Sequence, residues 1–293
     1  MPCSARKIKL PAEALQGKNL SRAAQARVAD QWCERLRQAH PYSCLARNLY
    51  LGRSFRKACK AADEAGAPLF IFSAGLGLIT GAAVVPPYDL TLSPGAPGTL
   101  SKRIRGAFVP AAWWERMQAG GFASPVTALG ARNGRILVGL TRPYAALVGS
   151  ALASLPPEML GRLRIFGGGL AQRLPANLHP QLLHYDARLD VLSPGTRLDG
   201  AARSVEHFAQ LAAAMPLSTV AADQVLIESS LSQVVAHPAI KRPRVTDASL
   251  LSYIRPLVRE GISATSALKQ LRSQALVACE ERRFRRLYKE AVA

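Results

Sequence analysis

Across residues 20–38 apolar positions recur three and four apart with basic residues between them, the spacing of a helix with one buried face. Residues 45–51 read instead as a short extended piece that turns at Gly52. A second helix runs from there to about Ala65, with Gly66 as its C-cap. The run "PLFIFSAG" is apolar until small residues end it, which predicts a strand buried on both faces. Two more strands are predicted over 134–141 and 160–169. Between them "PYAALVGSALASLP" predicts a helix with Pro143 in its first turn, where a missing N–H costs nothing.

Strand, helix, strand in that order makes a βαβ unit and predicts the α/β fold class, with a mostly parallel central sheet flanked by helices. Near residue 200 the pattern becomes helical through "SVEHFAQLAAAM" and "VAADQVLIESSLSQVVAH", then a linker "PAIKRPRVTD". The block from Ala248 onward parses into three short helices joined by tight turns, with Ser263 placed to cap the second. The expected organisation is an N-terminal helical segment (1–40), an α/β domain (41–200) and a helical, helix-turn-helix-like region (201–293).

Charge changes the picture more than composition does. The 49% hydrophobic content of the 293 residues fills a sizeable core, whereas 38 Lys and Arg against 19 Asp and Glu leave a formal charge of +19. That excess predicts a polyanionic partner, with nucleic acid ahead of a membrane surface. No apolar run reaches the roughly 20 residues of a membrane span, and "MPCSARKIKLPAEAL" has no signal-peptide core, so a cytoplasmic, monomeric protein is expected. The five cysteines lack metal-ligand spacing and predict free thiols. His179, His184 and Asp186 lack a third close ligand, so no metal is expected. No dinucleotide or phosphate-loop glycine pattern occurs, so no cofactor is expected.

The residues that can carry chemistry gather in three stretches. In "SAGLGLI", Ser73, Gly75 and Gly77 either bring backbone N–H groups to a ligand at the carboxyl end of a parallel strand or only permit a tight turn. In "PPYDLTL", Asp89 follows a stiff Pro-Pro-Tyr lead-in. A carboxylate there either stabilises a cationic sugar or caps the following turn, and Tyr88 either stacks on an extruded base or packs. In "GRSFRKACK", Gly52 opens a helix whose amides, with Arg53, suit a phosphate; Arg56, Lys57 and Lys60 extend the basic face. Lys102, Arg103 and Arg105 lie in a Gly/Pro-rich loop over 93–106. Further basic residues cluster at Lys241, Arg242 and Arg244, at Arg272, and at Arg282, Arg283, Arg285, Arg286 and Lys289. That cluster is either a solvated face or a DNA-contacting module.

"NLYLGRSFRKACKAADEAGAPLFIFSAGLGLI" with "PPYDLTL", and downstream "LVGLTRPYAALVGSAL" and "RIFGGGLAQRL", resemble an uncharacterised bacterial family over residues 45–174. The same Ser-Ala, Gly-Leu and Pro-Tyr pieces are similar to the DNA-binding peroxide-stress protein YaaA, in which arginine usually follows Pro-Tyr where this chain has Asp89. Such domains are akin to the uracil-DNA glycosylase and deazaguanine-modification groups, among them anti-phage glycosylases that remove glucosylated hydroxymethylcytosine. The resemblance implies a DNA glycosylase that flips out and excises a modified base of foreign DNA. Asp89 and Ser73 would be catalytic, and Tyr50, Gly52, Arg53, Phe55, Gly75, Tyr88 and Thr91 would bind substrate. A non-enzymatic DNA-binding stress protein and an accessory of deazapurine modification are the alternatives.

Overall fold

The computed structural model describes residues 1–3, 7–39, 44–238, 243–275 and 277–292, and the chain divides into two compact units, Met1–Ala236 and His237–Ala293. Unit 1 is mixed α/β. It comprises, in chain order, α1 (Gln25–Arg37), β1 (Cys44–Leu45), α2 (Ala46–Leu49), α3 (Arg53–Glu64), β2 (Phe70–Ser73), β3 (Gly77–Thr80), β4 (Val84–Val85), α4 (Pro110–Gln118), β5 (Ile136–Gly139), α5 (Arg142–Ala153), α6 (Pro157–Leu160), β6 (Leu163–Phe166), β7 (Leu182–Leu183), α7 (Leu189–Leu192), α8 (Gly200–Leu211) and α9 (Val220–Leu231).

The βαβ unit forms as its pattern requires: β5 and β6 pair in parallel around α5, and β7 adds a third parallel strand. The sheet is not parallel elsewhere. Strand β2 pairs antiparallel with β3, Ser73 opposite Gly77, and β1 pairs antiparallel with β4. Gly77 has a φ of +77°, the left-handed conformation that closes a three-residue hairpin turn. The apolar residues after it are therefore a returning strand, not a loop at the carboxyl end of a parallel strand. Parallel pairing along β2 comes instead from residues 1–3, where Cys3 N–H donates to Phe72 O (2.9 Å) and Phe72 N–H to Met1 O (2.8 Å). The extended piece expected over 45–51 is mostly the helical turn α2.

Helix α3 buries Phe55, Ala58 and Ala61 at three-residue spacing. It ends where Gly66 (φ +56°) lets Ala67 N–H reach Ala62 O, a Schellman closure. Helix α8 presents Val205 and Phe208 to a core shared with Ala61, Phe166, Leu183, Ile227 and Leu231. Helices α8 and α9 thus belong to the α/β unit, and the boundary expected at residue 200 lies at Ala236. The segment 1–40 is not separate either, because Val28 and Trp32 of α1 lie in the main core with Ile71 and Tyr88. Strand β6 carries Arg164 with no exposed surface, an ion that has to be neutralised from within the unit.

Unit 2 contains α10 (Asp247–Arg259), α11 (Ala264–Ser273) and α12 (Glu281–Val292) around Leu250, Ile254, Leu268, Leu271, Phe284 and Leu287. Ser263 caps α11 as its position predicts, accepting from Ser266 N–H, and Thr246 caps α10 in the same way. Among the described residues no helix is long and apolar enough to cross a membrane.

Candidate active site

The side chains of Tyr50, Ser73 and Tyr88, far apart in sequence, meet in a buried cluster of hydroxyls. Tyr88 Oη lies 2.7 Å from Ser73 Oγ and 2.9 Å from Tyr50 Oη. Its third partner is Cys3 Sγ at 3.6 Å, and Cys3 in turn lies 3.0 Å from Tyr144 Oη. Burial pushes the Tyr50, Tyr88 and Tyr144 phenols well above their ordinary pKa, so the cluster is neutral. The hairpin turn beside it is held from two helices: Trp32 Nε1 of α1 donates to Gly75 O and Trp113 Nε1 of α4 to Ala74 O, both at 2.7 Å. A buried indole N–H usually finds a partner, and for Trp32 and Trp113 the turn carbonyls supply it.

This geometry changes the roles expected for three residues. Ser73 Oγ accepts from Gly75 N–H (3.2 Å) and Leu76 N–H (2.9 Å), so the amides expected to meet a ligand are bonded within the turn. Ser73 itself is fully buried, its hydroxyl bonded to Tyr88 and the turn amides and within reach of Tyr50. The Tyr88 ring is also fully buried, edge-on to Trp32 at 6.0 Å, and is not presented for stacking on a base. A cavity of about 530 Å³ opens on the other side of the turn, lined by Gly75, Leu76, Cys33, Arg116 and Phe122 among others.

Asp89 is held by its backbone. Its N–H donates to Leu15 O at 2.9 Å and its carbonyl accepts from Gly17 N–H at 2.5 Å, a parallel bridge to residues 15–17. A Cβ at Gly17 would fall 2.7 Å from Asp89 O, and one at Gly98 would fall 2.8 Å from Asp89 Cγ and Oδ1, so both positions need glycine for the close approach. Among the described residues the carboxylate caps no backbone N–H. Thr91 Oγ1, not Asp89, accepts the Ser93 N–H of the following turn. Among the described residues no donor reaches the half-buried Asp89 carboxylate, and its charge acts on Lys7. Lys7 bridges Tyr50 in antiparallel fashion, with Nζ 4.3 Å from the Tyr88 ring centroid and 5.7 Å from that of Tyr50. Burial lowers its pKa, against the opposing fields of Cys3 and Asp89.

The other expected contacts are structural. Phe55 is buried against Tyr50 with ring centroids 5.1 Å apart, and Thr91 backbone groups bond Gly98 and Leu100 to close the loop. Gly52 adopts φ +124° ahead of α3, but the carboxylate of Asp199 lies 3.5 Å from Arg53 where a phosphate was expected. Lys57 and Lys60 pair with Glu206 of α8. Arg103 donates to Leu20 O. In unit 2, Arg283 and Arg286 converge on Asp247, Arg285 pairs with Glu281, and Arg272 donates to Cys279 O. Arg56, Lys102, Arg105, Arg244 and Arg282 are exposed. Lys241 and Arg242 lie outside the described residues. His179 Nε2 lies within hydrogen-bond distance of the Ala171 and Leu174 carbonyls, and Asp186 pairs with Arg188. Among the described residues no group of three or more His, Cys, Asp or Glu side chains is arranged to hold a metal.

Sequence reasoning missed Cys3, Lys7, Trp32 and Trp113. The tryptophans had a readable signal in their need for an N–H partner, whereas the N-terminal residues are brought in by pairings across the fold. A family model described as a family of unknown function (DUF6884) matches residues 33–103, the span from Trp32's neighbour Cys33 through Tyr50, Ser73, Tyr88 and Asp89 to Arg103. No curated protein and no solved structure matches the chain.

Proposed function

We propose that the chain is a DNA glycosylase that hydrolyses the N-glycosidic bond of a modified base in foreign DNA, with glucosylated hydroxymethylcytosine as the leading substrate. One observation carries the reading: Asp89 is a half-buried carboxylate fixed through its backbone, and among the described residues no donor bonds its carboxylate oxygens. Bond cleavage at C1′ leaves an oxocarbenium-like sugar, and a carboxylate beside it stabilises the developing positive charge or takes a proton from water. The Ser73–Tyr88–Tyr50 cluster fixes Tyr88, the residue before Asp89, without itself reacting. Exposed Arg56, Lys102 and Arg105, with Arg244 and Arg282 of unit 2, supply charge for phosphates.

The test is to incubate the protein with duplexes differing in cytosine and guanine modification and to score released bases and abasic sites. The expected result is release from at least one modified duplex and none from unmodified DNA. Binding without release from every duplex would favour a DNA-binding protein that performs no chemistry.

A further inference from the structure

We propose that Lys7 is a second catalytic group of this site, an amine that attacks C1′ of the deoxyribose and forms an imine with the opened sugar. The inference rests on the glycosylase reading and extends it to a substrate class of its own, the abasic-site aldehyde. Three observations converge on Lys7. Tyr50, Ser73 and Tyr88 are essentially without exposed surface, while Lys7, Asp89 and Cys3 beside them are partly exposed. The Lys7 ammonium stands over the faces of Tyr88 and Tyr50 rather than in bulk solvent. And Asp89 directly follows Tyr88, over whose ring Lys7 stands, so that its charge favours the Lys7 ammonium; among the described residues no donor bonds its carboxylate.

Opposed influences act on that amine. Burial favours the neutral amine, whereas Cys3, Asp89 and the two ring faces favour the ammonium; the net displacement is downward, towards the form that attacks carbon. In the first step the Nζ lone pair forms the N–C1′ bond as the C1′–base bond breaks. The base leaves with the bonding pair and is protonated by solvent. Asp89 then takes one proton from the new ammonium and returns it to O4′ as the C1′–O4′ bond opens, leaving a protonated imine. Water adds to the imine to free Lys7 and the abasic aldehyde, or loss of a C2′ proton expels the 3′ phosphate. With a preformed abasic site, the same amine condenses directly with the aldehyde and releases water.

The experiment uses the full chain and a duplex carrying one preformed abasic site, with borohydride present to reduce any imine and excess intact DNA as competitor. The expected result is a covalent protein–DNA adduct that mass spectrometry maps to Lys7. The adduct should be lost in Lys7→Arg, which keeps the cation but cannot form the imine. No adduct from the wild type, an adduct mapped to another amine, or an undiminished adduct in Lys7→Arg would overturn the inference. Should Lys7→Arg fail to fold by thermal melt, the map on the wild type decides. Base release measured in parallel separates the two claims: release without trapping leaves the hydrolytic reading and removes Lys7, whereas trapping without release on any modified duplex keeps the amine and removes the hydrolysis.

Discussion

Two of the groups of buried polar side chains in unit 1 are built on opposite plans. Around Arg164 two guanidiniums share one carboxylate, and carbonyls take up further donors. Its guanidinium bonds Asp223, Ser218 O, Gly161 O and Leu163 O, while Arg135 brings a second guanidinium to Asp223 and to the Met215 and Pro216 carbonyls. Around Tyr88 the buried members are neutral hydroxyls, and the charges of Lys7 and Asp89 stand at the partly exposed edge. A closed ionic group ties α9 to β6 and leaves nothing over for a ligand. An anionic group whose backbone is fixed and whose oxygens are unoccupied is poised to meet one. Among the described residues the difference sets Asp223, whose carboxylate holds the fold, apart from Asp89, the half-buried carboxylate we propose for chemistry.

The largest effect should come from opening the closed group. Burial alone would raise the Asp223 carboxyl, but hydrogen bonds from Arg135, Arg164 and Ser218 outweigh it, so its pKa lies below the ordinary value. Asp223→Asn leaves Arg164 buried without a counter-ion and should cost about 3–5 kcal/mol in denaturant unfolding at neutral pH. A carboxyl with a depressed folded pKa stabilises above its unfolded value and loses that contribution as pH falls through the folded one. The wild type should therefore lose this increment below about pH 4. Asp223→Asn should lack that part of its acid dependence. Loss of less than about 1 kcal/mol would mean that the ionic group is not what joins α9 to the sheet.

A smaller effect is expected inside the neutral cluster. Tyr88→Phe removes the hydroxyl shared by Ser73, Tyr50 and Cys3 and should cost about 1–3 kcal/mol by the same unfolding measurement, because buried partners lose a bond without losing a charge. A cost equal to that of Asp223→Asn would erase the distinction drawn between the two groups.

These residues also mark what the chain discloses before it is folded. The β5–α5–β6 unit and the capped α11 are local in sequence, so hydrophobic period, Pro143 and Ser263 suffice to read them. Tyr50, Ser73, Tyr88 and Asp89 were legible as motif residues, and the structure does bring the first three together. Their roles were not legible, because burial decides them: the same Ser-Ala-Gly turn reads as a ligand loop until the returning strand β3 and the Trp32 and Trp113 anchors are placed. Lys7 and Cys3 had no local signal at all. Contacts such as Cys3 with Tyr144 span 141 positions, and only the pairing of residues 1–3 with β2 creates them. The basic residues misled for a related reason, since Lys57 on α3 and Glu206 on α8 meet only after the two helices pack.

The central claim is that Asp89 is free for chemistry, and single-turnover base release by Asp89→Asn, read beside a thermal melt and a DNA-binding titration, tests it most directly. The amide keeps the size of the side chain but supplies neither a full negative charge nor a base. Release should fall about 10²- to 10⁴-fold while melting and binding stay close to wild type. Release at the wild-type rate, or a fall matched by a comparable loss of stability, would contradict the account.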